Sequence, residues 1–344
     1  MIYVVSNGNK TTGGPETLHQ IAFNLIQNGY DAQMAYFNPK SQKTPPRYEI
    51  YKVPVADRII DSEDNILIVP EALTHILSRY KKIRKCIAWL SVDYYILSDP
   101  NTLIKWRMQA NGWPKVLYPI AFLVLLKRNK IQFRRYKFDD NGKYIHTYNC
   151  EYARRYIVER GVAPEKTLYI CGPLNDVFFD KTKQVKLEEK ENIILYNPTK
   201  GTEFTQELIE FCKNKKLEAQ FVPLRGMTAD EVSDWMKKSK VYIDFGEFPG
   251  PERIPREAVM MGCNIITSKN GGAGNDIDVP IPEFLKFEDR KENLEAIYRT
   301  LNDLLDSYQN YYHYYDDYRS KVVSQKDQLL NNTAQLVKMF DINI

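Results

Sequence analysis

The sequence lacks the features that mark membrane-spanning, secreted and disulfide-rich proteins. The longest apolar run in the 344 residues, "VLYPIAFLVLL" at 116–126, is too short to span a bilayer. The amino terminus, "MIYVVSNGNK", has no basic leading region and no long apolar stretch, so we predict no signal peptide. The five cysteines are scattered, odd in number and without paired metal-ligand spacing, which favours free thiols in a reducing compartment. We therefore expect a cytoplasmic protein.

One long segment also lacks negative charge. Between Lys105 and Lys137 there are nine lysines and arginines and no aspartate or glutamate, although the net charge of the whole chain is only +4. Aromatic residues are interspersed with these cations, and we refer to 101–138 as the basic aromatic segment. This composition suits peripheral contact with an anionic membrane. The alternative is a helical hairpin that packs its apolar face into the protein. No nucleic-acid-binding motif accompanies the charge, so we expect no nucleic-acid partner.

Apolar runs typical of buried strands alternate with helical patterns through most of the chain. The first ninety residues contain the runs "IYVVSN", "DAQMAYF", "ILIVP" and "CIAWLSV", and the same rhythm restarts at "NIILYNP". This alternation is typical of parallel sheets covered by helices. We predict an α/β protein with two doubly wound, Rossmann-like domains that face a cleft, followed by carboxy-terminal helices.

The predicted boundaries follow changes in composition. The first domain covers 1–175 and contains the basic aromatic segment, and the second covers 191–287. Between them, 176–190 is polar and loses periodicity, which indicates a linker. The tail, 288–344, is helical and rich in tyrosine, and we expect it to pack back on the domains.

Glycines follow the first predicted strand, in "SNGNKTTGGPETLHQ". Gly13 and Gly14 let the backbone approach a ligand closely, and a helix that begins near Pro15 presents free N–H groups to an anion. A flexible turn explains the same residues equally well. The stretch lacks the GxGxxG pattern of a dinucleotide fold, so no nicotinamide cofactor is predicted.

Two further strand ends place cations beside helix starts. Lys200 in "YNPTKGTEFTQEL" precedes a helix whose amino end carries partial positive charge, so a bound phosphate would explain its position better than a solvated surface lysine does. In "GEFPGPERIPREAVMMGC", Arg253 and Arg256 lie where a helix begins, with Pro255 as its predicted first residue. Glu257 could merely compensate the helix dipole there.

A local ion pair is another explanation for part of this stretch, because Glu252 and Arg256 are spaced i,i+4. That pair would explain why Glu252 and Arg256 are present individually. It does not account for the order of strand, Pro/Gly loop, arginines and helix. Ligands of open α/β sheets bind at the carboxyl ends of the strands, so these strand ends together predict a site for an anion.

The carboxy-terminal half resembles the donor-binding domain of the GT-B nucleotide-sugar glycosyltransferases of bacterial polysaccharide synthesis. The matching stretches are "NPTKG", "VPLRGMTADEVSDWMKKSKVYIDFGEFPG" and "IPREAVMMGCNIITSKNGGAG". The resemblance implies a GT-B fold and sugar transfer from a UDP- or GDP-sugar to a glycan or lipid-linked glycan, without a cofactor or metal. It implies that Lys200 grips the donor diphosphate, that Glu257 holds the ribose hydroxyls, and that Gly13 and Gly14 face the donor phosphates.

The chain departs from the family pattern at two charged positions. The family commonly places a glutamate eight residues before the helix carboxylate, where this chain has Pro249, so Glu247 and Glu252 are the candidates for that role. An arginine that often precedes the diphosphate lysine is missing, and Arg225 or Arg253 is expected to compensate. Retention and inversion of the anomeric configuration both stay open, with retention favoured. A non-catalytic GT-B-like module that binds a nucleotide or glycan is the alternative function.

Candidate proton-transfer groups lie in the first domain. If the reaction inverts, a carboxylate near the acceptor would act as base, and Asp93 in "WLSVDYY" is the candidate. His146 and His19 are alternatives for proton transfer or acceptor contacts. The other interpretation is that each is a structural residue, as a lone histidine more often is. The "DID" at 276–278 mimics a metal-binding DxD motif, but aspartates two apart arise easily by chance, so we predict no metal site.

Overall fold

The computed structural model describes residues 1–8, 12–37, 43–127 and 135–341, without the side chains of 115 and 125–127. The chain forms two compact units. Unit 1 consists of Met1–Asn149, Ala153–Gly172 and the chain from Asp327 onward, and unit 2 consists of Cys150–Tyr152 and Pro173–Lys326.

Unit 1 alternates strands and helices, as predicted. Its elements in chain order are β1 (Ile2–Ser6), α1 (Gly13–Gln27), β2 (Ala32–Tyr36), β3 (Ile66–Pro70), β4 (Arg84–Trp89), α2 (Val92–Leu97), α3 (Pro100–Ala110), α4 (Tyr118–Lys127), β5 (Ile145–Tyr148), α5 (Glu151–Val158), whose first two residues belong to unit 2, and β6 (Thr167–Tyr169). The strands form one parallel sheet in the order β2-β1-β3-β4-β5-β6. All residues of β1 and β3 are buried, because helices cover both faces of such a sheet.

Unit 2 repeats this architecture. Its elements are α6 (Asp176–Thr182), β7 (Glu191–Tyr196), α7 (Thr202–Asn214), β8 (Gln220–Pro223), α8 (Ala229–Lys238), β9 (Ser239–Asp244), α9 (Arg253–Met260), β10 (Asn264–Ser268), β11 (Lys286–Phe287), α10 (Leu294–Asp306), α11 (Tyr308–Tyr312) and α12 (Asp316–Asp341), whose last part belongs to unit 1. The parallel sheet has the order β8-β7-β9-β10-β11. The prediction of two doubly wound α/β halves is confirmed.

The strand order reverses beside the first strand of each sheet. In unit 2 the chain runs from β7 outward to β8 and then returns to β9 on the other side of β7. Connections leave in opposite directions at such a point, and the crevice that results at the carboxyl ends of the two strands is where doubly wound sheets bind ligands. The reversal between β7 and β9 therefore locates the candidate site of unit 2.

Several elements differ in detail from the sequence predictions. Residues 176–190, predicted as a linker, belong to unit 2: they include α6, whose Phe178 is 1% exposed and packs in the hydrophobic core. The stretch Glu71–Arg79, between β3 and β4, is a 3₁₀-helix with a kink at Leu73. Of the basic aromatic segment, residues 128–134 lie outside the described ranges.

The tyrosines of the tail pack against the sheet of unit 2. Tyr315 is fully buried and donates to the carbonyl of Ile265 at 2.9 Å, and Tyr308 donates to the carbonyl of Gly262 at 2.5 Å. Burial raises the pKa of both phenols, so they stay neutral donors. These contacts give the tyrosine-rich tail a packing role. Among the described residues, no helix has the length and apolarity needed to cross a bilayer.

Candidate functional site

Lys200 lies at the strand-order reversal of unit 2. It follows β7, and its ammonium contacts groups from the end of β9 and from the loop after it. The Nζ atom is 3.1 Å from Asp244 Oδ1, 3.5 Å from Glu252 Oε2 and 3.1 Å from the carbonyl oxygen of Glu247. It also lies 3.7 Å from the centre of the Phe248 ring, a cation–π distance. Lys200 thus places a cation at the carboxyl edge of this sheet, with the carboxylates of Asp244 and Glu252 beside its ammonium.

Asp244 is the buried partner of this lysine. Its side chain is 1% exposed, and it accepts a hydrogen bond from the Tyr242 hydroxyl at 2.8 Å. Burial raises the pKa of the Asp244 carboxyl to about 6, although Lys200 and Tyr242 act in the opposite direction. The ammonium of Lys200 is therefore tethered on its protein side by a carboxylate that cannot rotate into solvent, while its side chain keeps 16% of its surface exposed.

Two glycines let the loops after β7 and β9 meet. Gly201 and Gly246 both have positive φ, +56° and +98°. A Cβ on Gly201 would lie 2.4 Å from the carbonyl oxygen of Phe245, and a Cβ on Gly246 would lie 2.5 Å from the amide nitrogen of Gly201. The backbones thus touch where any side chain would collide. This contact brings Lys200 against the loop after β9. It also explains why glycine occupies position 201 in "NPTKG" and position 246 in "DFGEFPG".

The loops after β10 and β11 complete this edge. Gly271 has φ +51°, and its Cβ would lie 2.2 Å from the carbonyl oxygen of Phe248. Asp289 accepts from the amide of Gly246 at 2.7 Å, and Asn270 donates to the carbonyl of Gly246 at 3.2 Å. Burial raises the pKa of Asp289. The loop after β9 is therefore supported on both sides.

Helix α9 begins two residues earlier than predicted. Arg253, and not Pro255, is its first residue, because Glu252 is extended (ψ 140°) and the chain turns helical directly after it. The Arg253 Nε atom is 3.6 Å from Glu257 Oε1, which places a cation and the candidate ribose carboxylate side by side. Both keep some exposure, 22% and 10% of their side-chain surface.

Arg256 does not share this exposed position. It is 4% exposed, and its guanidinium donates to the Glu252 carbonyl at 3.1 Å and to Gln325 Oε1 at 2.8 Å. The spacing of Glu252 and Arg256 indicated a side-chain ion pair, but the contact made is to the backbone. Its placement favours support of the loop before α9 over direct contact with a ligand.

The remaining unit 2 candidates separate in space. Glu252 reaches Lys200 with its carboxylate, whereas Glu247 contributes its carbonyl and leaves its side chain exposed. Pro249 lies between them on the same loop and is half-buried. Arg225 is exposed in the loop after β8, which lies on the opposite side of β7 from β9. Of the two arginines expected to compensate for the missing one, Arg253 directly follows the loop that carries the Lys200 contacts.

In unit 1, the predicted residues occupy carboxyl ends of the first sheet. Helix α1 begins at Gly13, and its cap residue, Thr12, makes no side-chain capping bond. A Cβ on Gly14 would lie 3.7 Å from Leu90, an ordinary contact. Asp93 is half-buried in the first turn of α2, which Ser91 caps. Gly13 and Gly14 are in the helix that follows β1, and Asp93 is in the helix that follows β4.

The two histidines are internal. His146 on β5 is 1% exposed, and its Nδ1 accepts from the Trp89 indole at 3.0 Å. Burial lowers the pKa of His146 to about 4, so the ring is neutral at physiological pH. His19 is equally buried, with Nδ1 2.7 Å from the Pro15 carbonyl and Nε2 2.8 Å from the Tyr36 hydroxyl. This placement favours the structural interpretation of both residues over proton transfer.

The "DID" aspartates have local roles. Asp278 accepts from the amides of Glu151 and Tyr152 at 2.6 and 2.9 Å, which caps the start of α5, and Asp276 pairs with Lys286 at 2.7 Å. Within the described ranges, no three His, Cys, Asp or Glu side chains are grouped to hold a metal ion.

Sequence reasoning missed two buried carboxyls at the sheet edges. Asp244 ends β9, and Glu71 follows β3 and accepts from the amide of Leu90 at 2.9 Å. Burial raises the pKa of Glu71 to about 7. The available signal was a charged residue directly after an apolar strand, in "VYID" and "ILIVPE". Such a residue marks the carboxyl edge of a parallel sheet.

No protein-family model and no curated protein sequence matches the chain. Solved structures match over nearly its whole length. HepE of Anabaena in complex with UDP-glucose is 13% identical, with a TM-score of 0.57 over 99% of each chain. Sucrose-phosphate synthase of Thermosynechococcus elongatus is 11% identical, with a TM-score of 0.60 over 100% of this chain and 99% of that one. The lipopolysaccharide outer core galactosyltransferase WaaB is 12% identical, with a TM-score of 0.60 over 100% and 99%.

These matches test the fold expected from the sequence. At 11–13% identity they establish architecture alone, and they do so across both units at once because nearly the whole of each chain is aligned. In this chain, that architecture consists of two doubly wound parallel sheets followed by carboxy-terminal helices. The chain therefore has the α/β fold of the GT-B glycosyltransferases.

Proposed function

We propose that the protein is a glycosyltransferase that moves a sugar from a UDP- or GDP-sugar to a glycan or lipid-linked glycan acceptor in the synthesis of a surface polysaccharide. The observation that carries the proposal is Lys200, an ammonium anchored at the strand-order reversal of a GT-B-fold chain. HepE, a structure with this fold, was solved with UDP-glucose.

The proposed chemistry uses fixed charge at the carboxyl edge of unit 2. Glycosyl transfer builds negative charge on the departing diphosphate, which a preorganised ammonium and helix amino ends stabilise. Lys200 precedes α7 and would contact the diphosphate, with Arg253 at the start of α9 as a second cation. Glu257, one turn into α9, would accept hydrogen bonds from the ribose hydroxyls. None of these steps requires a metal or cofactor.

When the donor binds, Lys200 would lose its contact with one carboxylate and gain a contact with the donor diphosphate. Asp244 is fixed by burial, but the Glu252 side chain is 28% exposed and lies farther from the ammonium. A diphosphate that reaches Lys200 would therefore displace Glu252, which would then be free to bind the sugar hydroxyls. This motion gives Glu252 the role that the family assigns to a glutamate, and Glu247 is the rival for that role. We propose retention of configuration; if the reaction inverts, Asp93 is the proposed base.

Lys200→Ala tests the donor site. We expect UDP or GDP affinity to fall about tenfold to a hundredfold, since a charge-assisted contact to phosphate is lost, and turnover of the donor to disappear. Isothermal titration with UDP and GDP measures affinity, and release of nucleotide from a panel of their sugars measures turnover. The matched control is Lys213→Ala, at the exposed carboxyl end of the same helix α7. Unchanged affinity and turnover in Lys200→Ala would refute the assignment.

A second function has a specific observation in its favour. Lys200 is already neutralised by Asp244 and Glu252, and Pro249 occupies the position of the family glutamate. A GT-B module that binds a nucleotide or glycan without catalysis would tolerate both features. Nucleotide binding without hydrolysis or transfer from any nucleotide sugar would favour this alternative.

A further inference from the structure

The loop after β9 brings an excess of negative charge to the proposed donor site. Residues 245–252 include Glu247 and Glu252 but no lysine, arginine or histidine, and the buried Asp244 directly precedes them. Asp244 and Glu252 lie 3.1 and 3.5 Å from the Lys200 ammonium, so they already compensate its charge. The side chain of Glu247 is exposed on the same loop and adds a further negative charge.

A fourth carboxylate lies against this loop. Asp289, in the loop after β11, accepts from the amide of Gly246, the residue directly before Glu247, at 2.7 Å. Burial and, after it, the charge of Glu247 raise the pKa of Asp289, so these two like charges act on each other. The charge of Lys200 lowers the same pKa, so Asp289 is within electrostatic range of that ammonium. Carboxylates from two loops therefore approach the position of Lys200.

The cations of the neighbouring loops do not balance this charge. Each lysine and arginine in the loops after β10 and β11 has a carboxylate partner that Lys200 does not contact: Lys269 with Glu283 at 2.5 Å, Arg290 with Glu288 at 3.0 Å, and Lys291 with Glu207. The diphosphate is proposed to use Lys200, Arg253 and the amino ends of two helices. Among the described residues of these loops, no further cation is left to pair with a second anionic group on the donor.

The sugar of a bound donor would meet these carboxylates. It is joined directly to the diphosphate, so it must lie close to Lys200 and to the acidic loop beside it. A hydroxyl or amide group on the sugar can donate a hydrogen bond to a carboxylate. A carboxylate on the sugar has no proton to donate at neutral pH and would be repelled. Like charges placed side by side are a general means of rejecting the wrong ligand.

We propose that the donor site selects a sugar without an acidic group, a neutral hexose or an N-acetylhexosamine, and rejects uronic acids. Glu247, Glu252 and Asp289 are the residues that exclude the acidic sugar. The inference rests on the proposed function, because the diphosphate at Lys200 is what places the sugar, and it adds the charge class of the donor sugar to that function.

The test compares nucleotide sugars that differ only in the oxidation state of C6. The pairs are UDP-glucose with UDP-glucuronic acid, UDP-galactose with UDP-galacturonic acid, and GDP-mannose with GDP-mannuronic acid. Isothermal titration of the full-length protein measures each affinity without an acceptor, and UDP and GDP serve as references. For the nucleotide that binds, we expect each uronic acid to bind about tenfold or more weakly than its neutral partner. The difference should shrink at high salt, which screens repulsion.

Charge-removing variants assign the selection to particular residues. Glu247→Gln/Glu252→Gln should reduce the difference within a pair to about threefold or less, because two negative charges are removed with little change in shape. Asp289→Asn should reduce it in part. Glu218→Gln is the matched control: Glu218 is exposed just before β8, at the opposite end of the sheet, so this variant should keep the full difference. Thermal melts check that all variants fold.

The outcomes separate this inference from the proposed function. If UDP or GDP binds and the uronic acids bind as tightly as their neutral partners, the inference is wrong and the proposed function stands. If neither UDP nor GDP binds, both are wrong. A preference that survives unchanged in Glu247→Gln/Glu252→Gln and in Asp289→Asn would mean that these carboxylates do not select the sugar. A preference that these variants lose and Glu218→Gln keeps supports the proposal.

Discussion

At the scale of single residues, the ion pair of Lys200 and Asp244 allows the effect of Lys200 on stability to be measured apart from its effect on donor binding. Lys200→Ala leaves Asp244 buried without its cation, whereas Lys200→Ala/Asp244→Asn removes the buried charge as well. We expect the single variant to unfold at lower urea concentration and the double variant to recover most of that loss. Donor affinity should stay low in both. Recovery of affinity in the double variant would mean that Lys200 acts only through the fold.

The pH dependence of stability tests the state of Asp244. Its folded-state pKa is about 6 against an ordinary 3.8, so the folded protein binds this proton more tightly than the unfolded chain does. The stabilisation is complete below pH 4 and is lost as the pH rises through 6, a change of about 3 kcal/mol. Relative to the native protein, Asp244→Asn should therefore gain stability between pH 4 and pH 7, measured by urea unfolding at each pH. A constant difference would show that Asp244 ionises normally.

A Glu252 variant tests whether this carboxylate is the one that leaves Lys200 when the donor binds. It contributes negative charge 3.5 Å from the Lys200 ammonium, so Glu252→Gln should strengthen binding of free UDP or GDP by about threefold to tenfold. If Glu252 then holds the sugar, the same variant should lose turnover. Glu247→Gln is the control, since its side chain is exposed and only its carbonyl contacts Lys200. Lost turnover in Glu247→Gln alone would transfer the sugar-binding role to Glu247.

At the scale of elements, the contact between the loops after β7 and β9 holds the site together. Gly246→Ala would place a Cβ 2.5 Å from the Gly201 amide and in an unfavourable φ of +98°. We expect a loss of about 2 kcal/mol or more in the free energy of unfolding, together with weakened donor binding. Gly226→Ala is the matched control, because Gly226 also has positive φ but open space around it, so only the cost of φ, about 1 kcal/mol, applies. Equal losses in both variants would argue against the loop contact.

Element boundaries show where sequence patterns were sufficient. Strands such as "IYVVS" and "ILIVP" were recognisable because both faces are buried and the runs are continuously apolar. The sequence predicted the start of α9 two residues too late, at Pro255, because proline is favoured at the first position of a helix. In the structure the helix begins at Arg253, directly after the extended residue Glu252. The stretch 176–190 was predicted as a linker because it is polar and lacks a regular apolar period. Of its large apolar residues, only Phe178 is fully buried, so the sequence pattern of a packed helix is weak there.

For the whole molecule, the GT-B fold predicts which ligands stabilise the protein. A nucleotide that binds only the folded state raises the melting temperature in proportion to its affinity and concentration. We expect UDP or GDP to raise it and CMP to leave it unchanged, measured in one thermal-shift series. Lys200→Ala should remove the shift, whereas Lys213→Ala should keep it, because Lys213 lies at the exposed carboxyl end of α7. A shift that survives Lys200→Ala would place the nucleotide elsewhere.

The sequence by itself determined the α/β class, the two doubly wound halves and the strand ends at which charged residues gather. These follow from local periodicity and from glycines and cations at fixed offsets from strands. Tertiary structure decided which of those charges share a site: it buried Arg256 and His146, exposed Arg225, and brought Asp244 and Glu252 to Lys200. The physical reason is that strand order and backbone contact between loops, such as Gly201 against Gly246, join residues more than forty positions apart, and no local pattern encodes that distance.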